Sequence, residues 1–185
     1  MRKLFMFNLI TLDGYFAEPD GGLDWHNVDA EFGDFAEEQL SEIGTLLFGR
    51  KTYEMMAEFW SSEEVKADDE RTATPMNALP KVVVSHKPLS VNWENSQRLE
   101  GDLVTGIQAL KAEDGKDIAL FGSANLATSL IEAKLIDEFR ILVNPIVLGA
   151  GQPLFQNLQQ PLHLELIASR TFKSGNVLLT YKPKN

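Results

Sequence analysis

Three stretches of small, hydroxylated or basic residues could bind a charged small molecule, and each directly follows a short apolar run. Residues 49–52 read Gly-Arg-Lys-Thr, residues 85–87 read Ser-His-Lys, and residues 122–126 read Gly-Ser-Ala-Asn-Leu. Where such a stretch opens a helix, free backbone N–H groups and the positive end of the helix dipole favour a phosphate group. These residue types therefore indicate binding of a phosphorylated small molecule.

Each stretch alone also has an ordinary structural explanation. Glycine between a strand and a helix relieves steric crowding, and residues 50–51 could be a solvated helix start. Residues 85–87 could be a polar turn, and none of the stretches matches the G-x-G-x-x-G fingerprint or a P-loop. Basic residues at a helix N-terminus oppose the dipole, however, and a bound anion would offset that cost. Because ligands of open α/β sheets bind at the carboxyl ends of strands, the shared position of the three stretches favours one site.

The elements that must position these stretches alternate between apolar strands and amphipathic helices. This order predicts an α/β fold with a mixed, mostly parallel sheet flanked by helices. Residues 162–172 and 177–181 flank a Lys-Ser-Gly-Asn turn, which predicts a C-terminal antiparallel hairpin. No internal repeat or linker is visible, so residues 1–185 are predicted to form a single domain. The predicted strands cover residues 3–10, 45–48, 82–84, 118–121 and 139–143, with helices after Asp29 and Gly49, at residues 102–112 and after Gly122.

Further candidates for chemistry lie near the N-terminus. A long loop is predicted for residues 11–27, and long loops in compact domains are often functional. Trp25 in this loop is a candidate for stacking on a ring, although a tryptophan is more often a core residue. The helix after Asp29 carries an acidic run that is most simply a solvated face. One of its carboxylates, such as Asp34 or Glu38, could instead point into a cleft as a proton donor.

Composition and charge restrict the classes of function. None of the 185 residues is cysteine, which removes disulfides, thiolate metal sites and cysteine nucleophiles. The net charge of −10 and the pI near 4.8 repel nucleic-acid phosphates, so no nucleic-acid partner is expected. The histidines His26, His86 and His163 have no metal-binding spacing, so no metal site is expected. No apolar run is long enough to cross a membrane, and we expect a cytoplasmic protein.

A set of short stretches along the chain is recognisable when taken together. These stretches are residues 11–14, 46–54, 83–85, 121–123, 135–139, 145 and 148–151. They resemble the dihydrofolate-reductase-like superfamily, and in particular the stand-alone relatives of the C-terminal reductase domain of the riboflavin biosynthesis protein RibD. The resemblance covers nearly the whole chain in the right order. It implies a mixed sheet of about eight strands flanked by helices, and NADPH bound across the strand ends.

The resemblance further implies roles for individual residues. Hydride would pass from the nicotinamide of NADPH to a C=N or C=O carbon, as in dihydrofolate reductase or 5-amino-6-(5-phosphoribosylamino)uracil reductase. Asp13, Asp34 and Glu38 are then the candidate catalytic residues. The residues implied in cofactor binding, some of them bordering the substrate, are Thr11, Trp25, Gly49, Arg50, Lys51, Thr52, Ser85, Lys87, Phe121, Gly122, Ser123, Ala124, Asn125 and Leu126.

The chain departs from the family pattern at two places. Serine follows Gly122 where members often have a second glycine, and a serine can still allow the turn and cap a helix. The acid that dihydrofolate reductase carries on its first long helix has no certain counterpart, since Asp34 and Glu38 are both plausible. These departures leave the substrate open within the family.

The sequence leaves three functions open. The first is an NADPH-dependent reductase of a small heterocycle of the pterin, folate or pyrimidine type. The second is a nucleotide-binding fold relative without catalytic turnover. The third, a hydrolase, lacks a G-x-S-x-G elbow or another nucleophile constellation. The resemblance also implies a homodimer, with the strands after Asp137 and residues 145–148 as candidate contacts, although core burial would explain these residues equally well.

Overall fold

The computed structural model of the chain describes residues 1–122 and 124–184. Within these ranges the backbone forms ten strands and six helices. The strands are β1 (Leu4–Thr11), β2 (Tyr15–Ala17), β3 (Ile43–Gly49), β4 (Lys81–Val84), β5 (Ser96–Arg98), β6 (Asp117–Phe121), β7 (Glu138–Asn144), β8 (Gln152–Pro153), β9 (Leu164–Thr171) and β10 (Val177–Pro183). The helices are α1 (Ala30–Ser41), α2 (Arg50–Ser61), α3 (Glu63–Asp68), α4 (Glu70–Ala78), α5 (Leu103–Ala112) and α6 (Ala124–Glu132).

Eight of these strands form one sheet in the order β5-β4-β3-β6-β1-β7-β10-β9. The six strands from β5 to β7 run parallel, with Phe7 opposite Phe121 and Leu47 opposite Leu120. Apolar runs buried on both faces are typical of parallel strands between helices. Because the strands are parallel, the carboxyl ends of β1, β3, β4 and β6 all lie at one edge of the sheet.

The C-terminal hairpin makes the sheet mixed. Strand β10 pairs antiparallel with both β7 and β9, for example Val177 with Val143 and with Thr171. The predicted α/β fold with a mostly parallel sheet and an antiparallel C-terminal hairpin is therefore confirmed. Strand β9 lies at the sheet edge, and its side chains are mostly exposed.

The helices begin where the sequence supplies capping residues. Asp29 caps α1 by accepting a hydrogen bond from the Phe32 amide at 2.9 Å, and Asp102 caps α5 in the same way through Thr105. The segment before β4 forms two separate helices, because Asp69 ends α3 and caps α4. None of the helices in the described ranges combines the length and apolar character of a bilayer span.

The predicted loop 11–27 is not wholly irregular. It contains the short strand β2, which pairs with β8 from the loop after β7.

The segment 145–148 is a candidate dimer contact whose apolar residues could also be explained by burial in the core. Val147 in this segment is 63% exposed, so core burial does not explain it. The expectation that this segment contributes to a homodimer stays a prediction.

Candidate functional site

A cavity of about 710 Å³ opens at the carboxyl ends of β1 and β6. This volume is in the range of small-molecule sites, about 300–1,000 Å³. Its walls come from one face of α1, one face of α2, the start of α6, the segment 16–29, α4 with its cap, and the segment 152–156. Several separate parts of the chain therefore meet over one edge of the sheet.

A close approach joins the segments that follow two neighbouring strands, β3 and β6. Gly122 follows β6 and Thr52 lies in the first turn of α2, directly after β3. The backbone of Gly122 has a φ of +67°, and a Cβ atom there would stand 3.1 Å from Cγ2 of Thr52. Glycine at this position therefore allows both a left-handed turn and a close approach. Two of the three predicted strand-end stretches meet here.

The start of α2 presents backbone donors to this junction. Gly49 occupies the N-cap position and supplies no side-chain hydrogen bond, so the first N–H groups have no capping side chain. Lys51 and Thr52 line the cavity. A cavity wall with free N–H groups, a hydroxyl and a lysine suits a phosphate.

Arg50, predicted to act with Lys51, is held elsewhere. Its Nη1 atom lies 2.8 Å from Oε2 of Glu54, one turn along α2. A hydrogen bond from Ser90 and then this arginine keep the pKa of the Glu54 carboxyl below its usual range. Arg50 is not among the described residues that line the cavity.

The stretch after β6 divides between the cavity and the core. Phe121, Gly122, Ala124 and Asn125 line the cavity, as predicted for cofactor contacts. Leu126 is buried in the hydrophobic core on one side of the sheet instead. The predicted contact at Ser123 lies outside the described residues.

The third stretch, after β4, forms a local turn. The Ser85 hydroxyl donates to the Lys87 carbonyl at 2.6 Å and also accepts the Lys87 N–H. Because β4 pairs with β3, this turn lies at the same sheet edge as Gly49. Neither Ser85 nor Lys87 is among the described residues that line the cavity, and their place beside the cofactor stays a prediction.

Thr11 and Asp13 shape the end of β1 rather than the cavity. The buried Thr11 hydroxyl donates to Asp13 at 2.6 Å, and the Asp13 carboxylate also accepts from the N–H groups of Leu148 and Gly149. The hydrogen bond from Thr11, together with these backbone N–H groups, lowers the pKa of Asp13. Asp13 thus ties the loop after β7 to the end of β1. The Asp13 carboxylate is not among the described residues that line the cavity, so its contacts give it a structural role, and a catalytic role for it stays a prediction.

Trp25 is buried behind the cavity wall, and its neighbour His26 lines the cavity. The two rings meet edge to face with centroids 4.5 Å apart. Burial lowers the pKa of His26 to about 4, and its Nε2 atom has no hydrogen-bond partner among the described residues. At neutral pH the His26 ring is therefore a neutral polar group. His26, and not Trp25, is among the described residues that line the cavity.

The two carboxylates predicted on α1 do not reach the cavity. The cavity face of α1 is the stripe Phe32, Gly33, Ala36, Gln39 and Leu40. Asp34 and Glu38 lie on the opposite side of the helix, because each residue advances the helix by about 100°. Asp34 is exposed and pairs with Arg71 of α4 at 2.9 Å, and Glu38 is exposed as well. The prediction that one of them points into the cleft is therefore corrected.

Two polar residues of the cavity were not predicted. Asn8 lies in β1 and is only 9% exposed, and its Oδ1 atom has no hydrogen-bond partner among the described residues. Gln39 is the buried polar residue on the cavity face of α1. Both could have been found in the sequence, because Asn8 interrupts the apolar run of β1 and Gln39 interrupts the apolar stripe of α1. Among the described residues, no group of three or more potential metal ligands converges.

Comparisons with known proteins agree with this geometry. The family model of the RibD C-terminal domain matches residues 2–178. An uncharacterized protein of Bacillus subtilis (strain 168), YyaP, is 31% identical over 182 residues, covering 97% of this chain and 94% of YyaP.

Solved structures share the fold over nearly the full length. A protein of Shewanella sp. PV-4 assigned to riboflavin biosynthesis superposes with a TM-score of 0.76 at 27% identity, covering 99% of both chains. Dihydrofolate reductase from Enterococcus faecalis, complexed with NADP(H), superposes with a TM-score of 0.65 at 16% identity, covering 99% of this chain and 97% of that one. With its sheet order and its strand-end cavity, the chain belongs to the RibD C-terminal domain family and has the fold of dihydrofolate reductase.

Proposed function

We propose that the protein is an NADPH-dependent reductase that transfers hydride to a small heterocycle of the pterin, folate or pyrimidine type. The observation that carries the proposal is the junction of Thr52 and Gly122 at the rim of the cavity. Two helix starts converge there, and anions favour helix N-termini. The family and the fold, both shared with reductases, support the same conclusion.

The residues at the junction fit a dinucleotide phosphate. The first N–H groups of α2 and the Thr52 hydroxyl would bind a pyrophosphate, with the Lys51 ammonium as counter-charge. A Cβ atom at Gly122 would stand 3.1 Å from Cγ2 of Thr52 and 3.4 Å from its hydroxyl, so glycine is what lets the turn after β6 lie against this helix start. When bound, NADPH supplies the hydride.

The remaining residues position the second reactant. Phe32, Met56 and Met76 form an apolar wall that excludes water and accepts a flat ring. Reduction of a C=N bond adds the hydride to carbon and a proton to nitrogen, and leaves NADP⁺. His26 is neutral near pH 7 because burial lowers its pKa, so we assign proton delivery to solvent rather than to this ring.

A second candidate, a nucleotide-binding relative without turnover, is favoured by one observation. Neither Asp34 nor Glu38 reaches the cavity, and the carboxylates that do line it, Asp20, Asp29 and Asp69, belong to exposed residues. A buried acid whose raised pKa would retain a proton is thus lacking among the described lining residues. This candidate predicts cofactor binding without reduction of any heterocycle.

The two candidates separate in a two-stage experiment. Calorimetric titration with NADPH and with NADH first measures binding, and a micromolar Kd for NADPH is expected for either. The decrease in NADPH absorbance is then followed with dihydropterins, dihydrofolate and aminouracils. Turnover of one class supports the reductase. Saturable NADPH binding without oxidation of any of them supports the binding protein, and no saturable binding of either nucleotide contradicts both.

A further inference from the structure

The charges that line the cavity are unequal in number. Among the described residues that line it, Lys51 is the one lysine or arginine. Three carboxylates, those of Asp20, Asp29 and Asp69, line the same cavity. The described lining therefore carries more negative than positive side chains, and its one basic side chain lies at the start of α2.

The side chains on the cavity face of α2 change from polar to apolar along the helix. Its cavity face begins with Lys51 and Thr52, next to Gly122, and continues with the apolar pairs Met55–Met56 and Phe59–Trp60. The apolar part, from Met55 to Trp60, covers six residues, or about 9 Å of helix. The start of this cavity wall thus suits a phosphate, and the rest of its cavity face is apolar.

The three aspartates are hydrogen-bond acceptors in this structure. Each accepts a backbone N–H of its own segment: Asp20 from Gly22, Asp29 from Phe32, and Asp69 from Thr72. Among the described residues none of the three forms an ion pair with a lysine or arginine. Their negative charge is therefore not neutralised locally by a basic side chain.

Two neutral side chains of the cavity keep an unpartnered polar atom for ligand recognition. Asn8 is a buried amide whose Oδ1 atom has no partner among the described residues, whereas the buried Gln39 amide already accepts a hydrogen bond from Arg140 through its Oε1 atom at 3.4 Å. His26 lines the cavity with an unpartnered Nε2 atom. Amide and imidazole groups donate and accept hydrogen bonds, which matches the edge of an uncharged heterocycle such as a pterin or a uracil.

We infer that the substrate is a flat heterocycle that carries no phosphate ester, and that the aspartate-lined part of the cavity disfavours phosphorylated analogues. This inference rests on the proposed function, because it assigns the Lys51 end to the cofactor. A phosphate in the remaining part would meet carboxylates and apolar side chains without a paired cation, and burial of such a charge is costly.

The test compares matched ligands on protein saturated with NADP⁺. Calorimetry measures the Kd of dihydroneopterin and its monophosphate, and of uridine and uridine 5′-monophosphate. We expect the unphosphorylated member of at least one pair to bind about tenfold tighter or more at low salt. Higher salt should reduce this preference, because screening weakens the repulsion of the phosphate.

A variant with three substitutions, D20N/D29N/D69N, tests the cause. Asparagine keeps an acceptor oxygen and caps helices about as well as aspartate, so the backbone contacts are retained. The preference is the ratio of the Kd of the phosphorylated ligand to the Kd of its unphosphorylated partner. In this variant the ratio should fall to about a third of its wild-type value or lower, because the repelling charges are gone. The control variant D34N/E37Q/E38Q removes three charges from the outer face of α1 and should keep the preference.

Each outcome bears on one proposal. Equal or tighter binding of the phosphorylated member overturns the inference, as does the absence of binding by both members of both pairs. A preference that the cavity variant and the control variant change equally also overturns it, because the cause would then be overall charge. Failure to bind NADP⁺ at all contradicts the proposed function instead, and the preliminary titration with the cofactor detects it.

Discussion

Thr52 and Gly122 are in contact across two neighbouring strands, and a Cβ atom at residue 122 would lie 3.1 Å from Cγ2 of Thr52 and 3.4 Å from its hydroxyl. We expect Gly122→Ala to weaken NADPH binding about tenfold or more, because the methyl group displaces Thr52 and blocks the phosphate approach. The substitution also costs about 1–2 kcal/mol of stability, since alanine is strained at a φ of +67°. Calorimetry and urea denaturation measure the two effects.

Gly149→Ala is the matched control for this prediction. Gly149 has a φ of +74°, but nothing lies within 4 Å of a Cβ atom built there. This variant should therefore lose similar stability while keeping its NADPH affinity. An equal loss of affinity in both variants would show that backbone strain, and not the contact with Thr52, controls binding.

Asn8 should show opposite effects on stability and on ligand binding. Its buried Oδ1 atom has no described partner, and an unpaired buried polar group costs roughly 1–3 kcal/mol. We expect Asn8→Leu to raise the free energy of unfolding by about 1 kcal/mol while weakening the binding of the heterocycle about tenfold.

The comparison residue is Asn176, which also has an unpaired buried Oδ1 atom but donates through Nδ2 to the Asn27 carbonyl. Asn176→Leu loses that hydrogen bond and should destabilise the protein. If Asn8→Leu destabilises the protein as much as Asn176→Leu does, then the Asn8 amide has a structural role and is not a ligand-binding group.

Asp13 is expected to support the fold of its loop rather than the hydride transfer. Asp13→Asn replaces one acceptor oxygen by a donor that faces the N–H groups of Leu148 and Gly149. We expect a lower Tm, a turnover number within about threefold of wild type, and the same pH dependence of turnover. A loss of turnover by orders of magnitude with an unchanged Tm would restore the catalytic role predicted from the sequence.

The sequence was sufficient for β1, β3, β4, β6, β7 and the C-terminal hairpin, and for the meeting of residues 49–52 with Gly122. Apolar runs, capping aspartates and the rule for parallel sheets are local or topological, so they do not depend on side-chain direction. The assignment of Asp34 and Glu38 failed because it depended on the rotation of α1. The stripe from Phe32 to Leu40 gives that rotation, and its polar member is Gln39 rather than an acid. The pairing of β2 with β8 joins segments that are distant in the sequence and leave no periodic pattern.

His26 should make the stability of the protein depend on pH between about 6.5 and 4. Its pKa is about 4 in the folded protein and 6.5 in an unfolded chain, because burial disfavours the charged ring. The unfolded chain therefore binds more protons in this window, and the free energy of unfolding falls as the pH is lowered through it. A shift of this size corresponds to a loss on the order of 3 kcal/mol.

The variant His26→Gln removes this titration while keeping a neutral polar side chain in the cavity wall. Urea denaturation at several pH values should show that the variant loses on the order of 3 kcal/mol less than wild type between pH 6.5 and pH 4. The control His86→Gln changes an exposed histidine after β4 and should follow the wild-type curve. If the free energy of unfolding depends on pH in the same way in wild type and in His26→Gln, then the His26 ring reaches solvent. Its assignment as a neutral group that recognises the substrate would then be wrong.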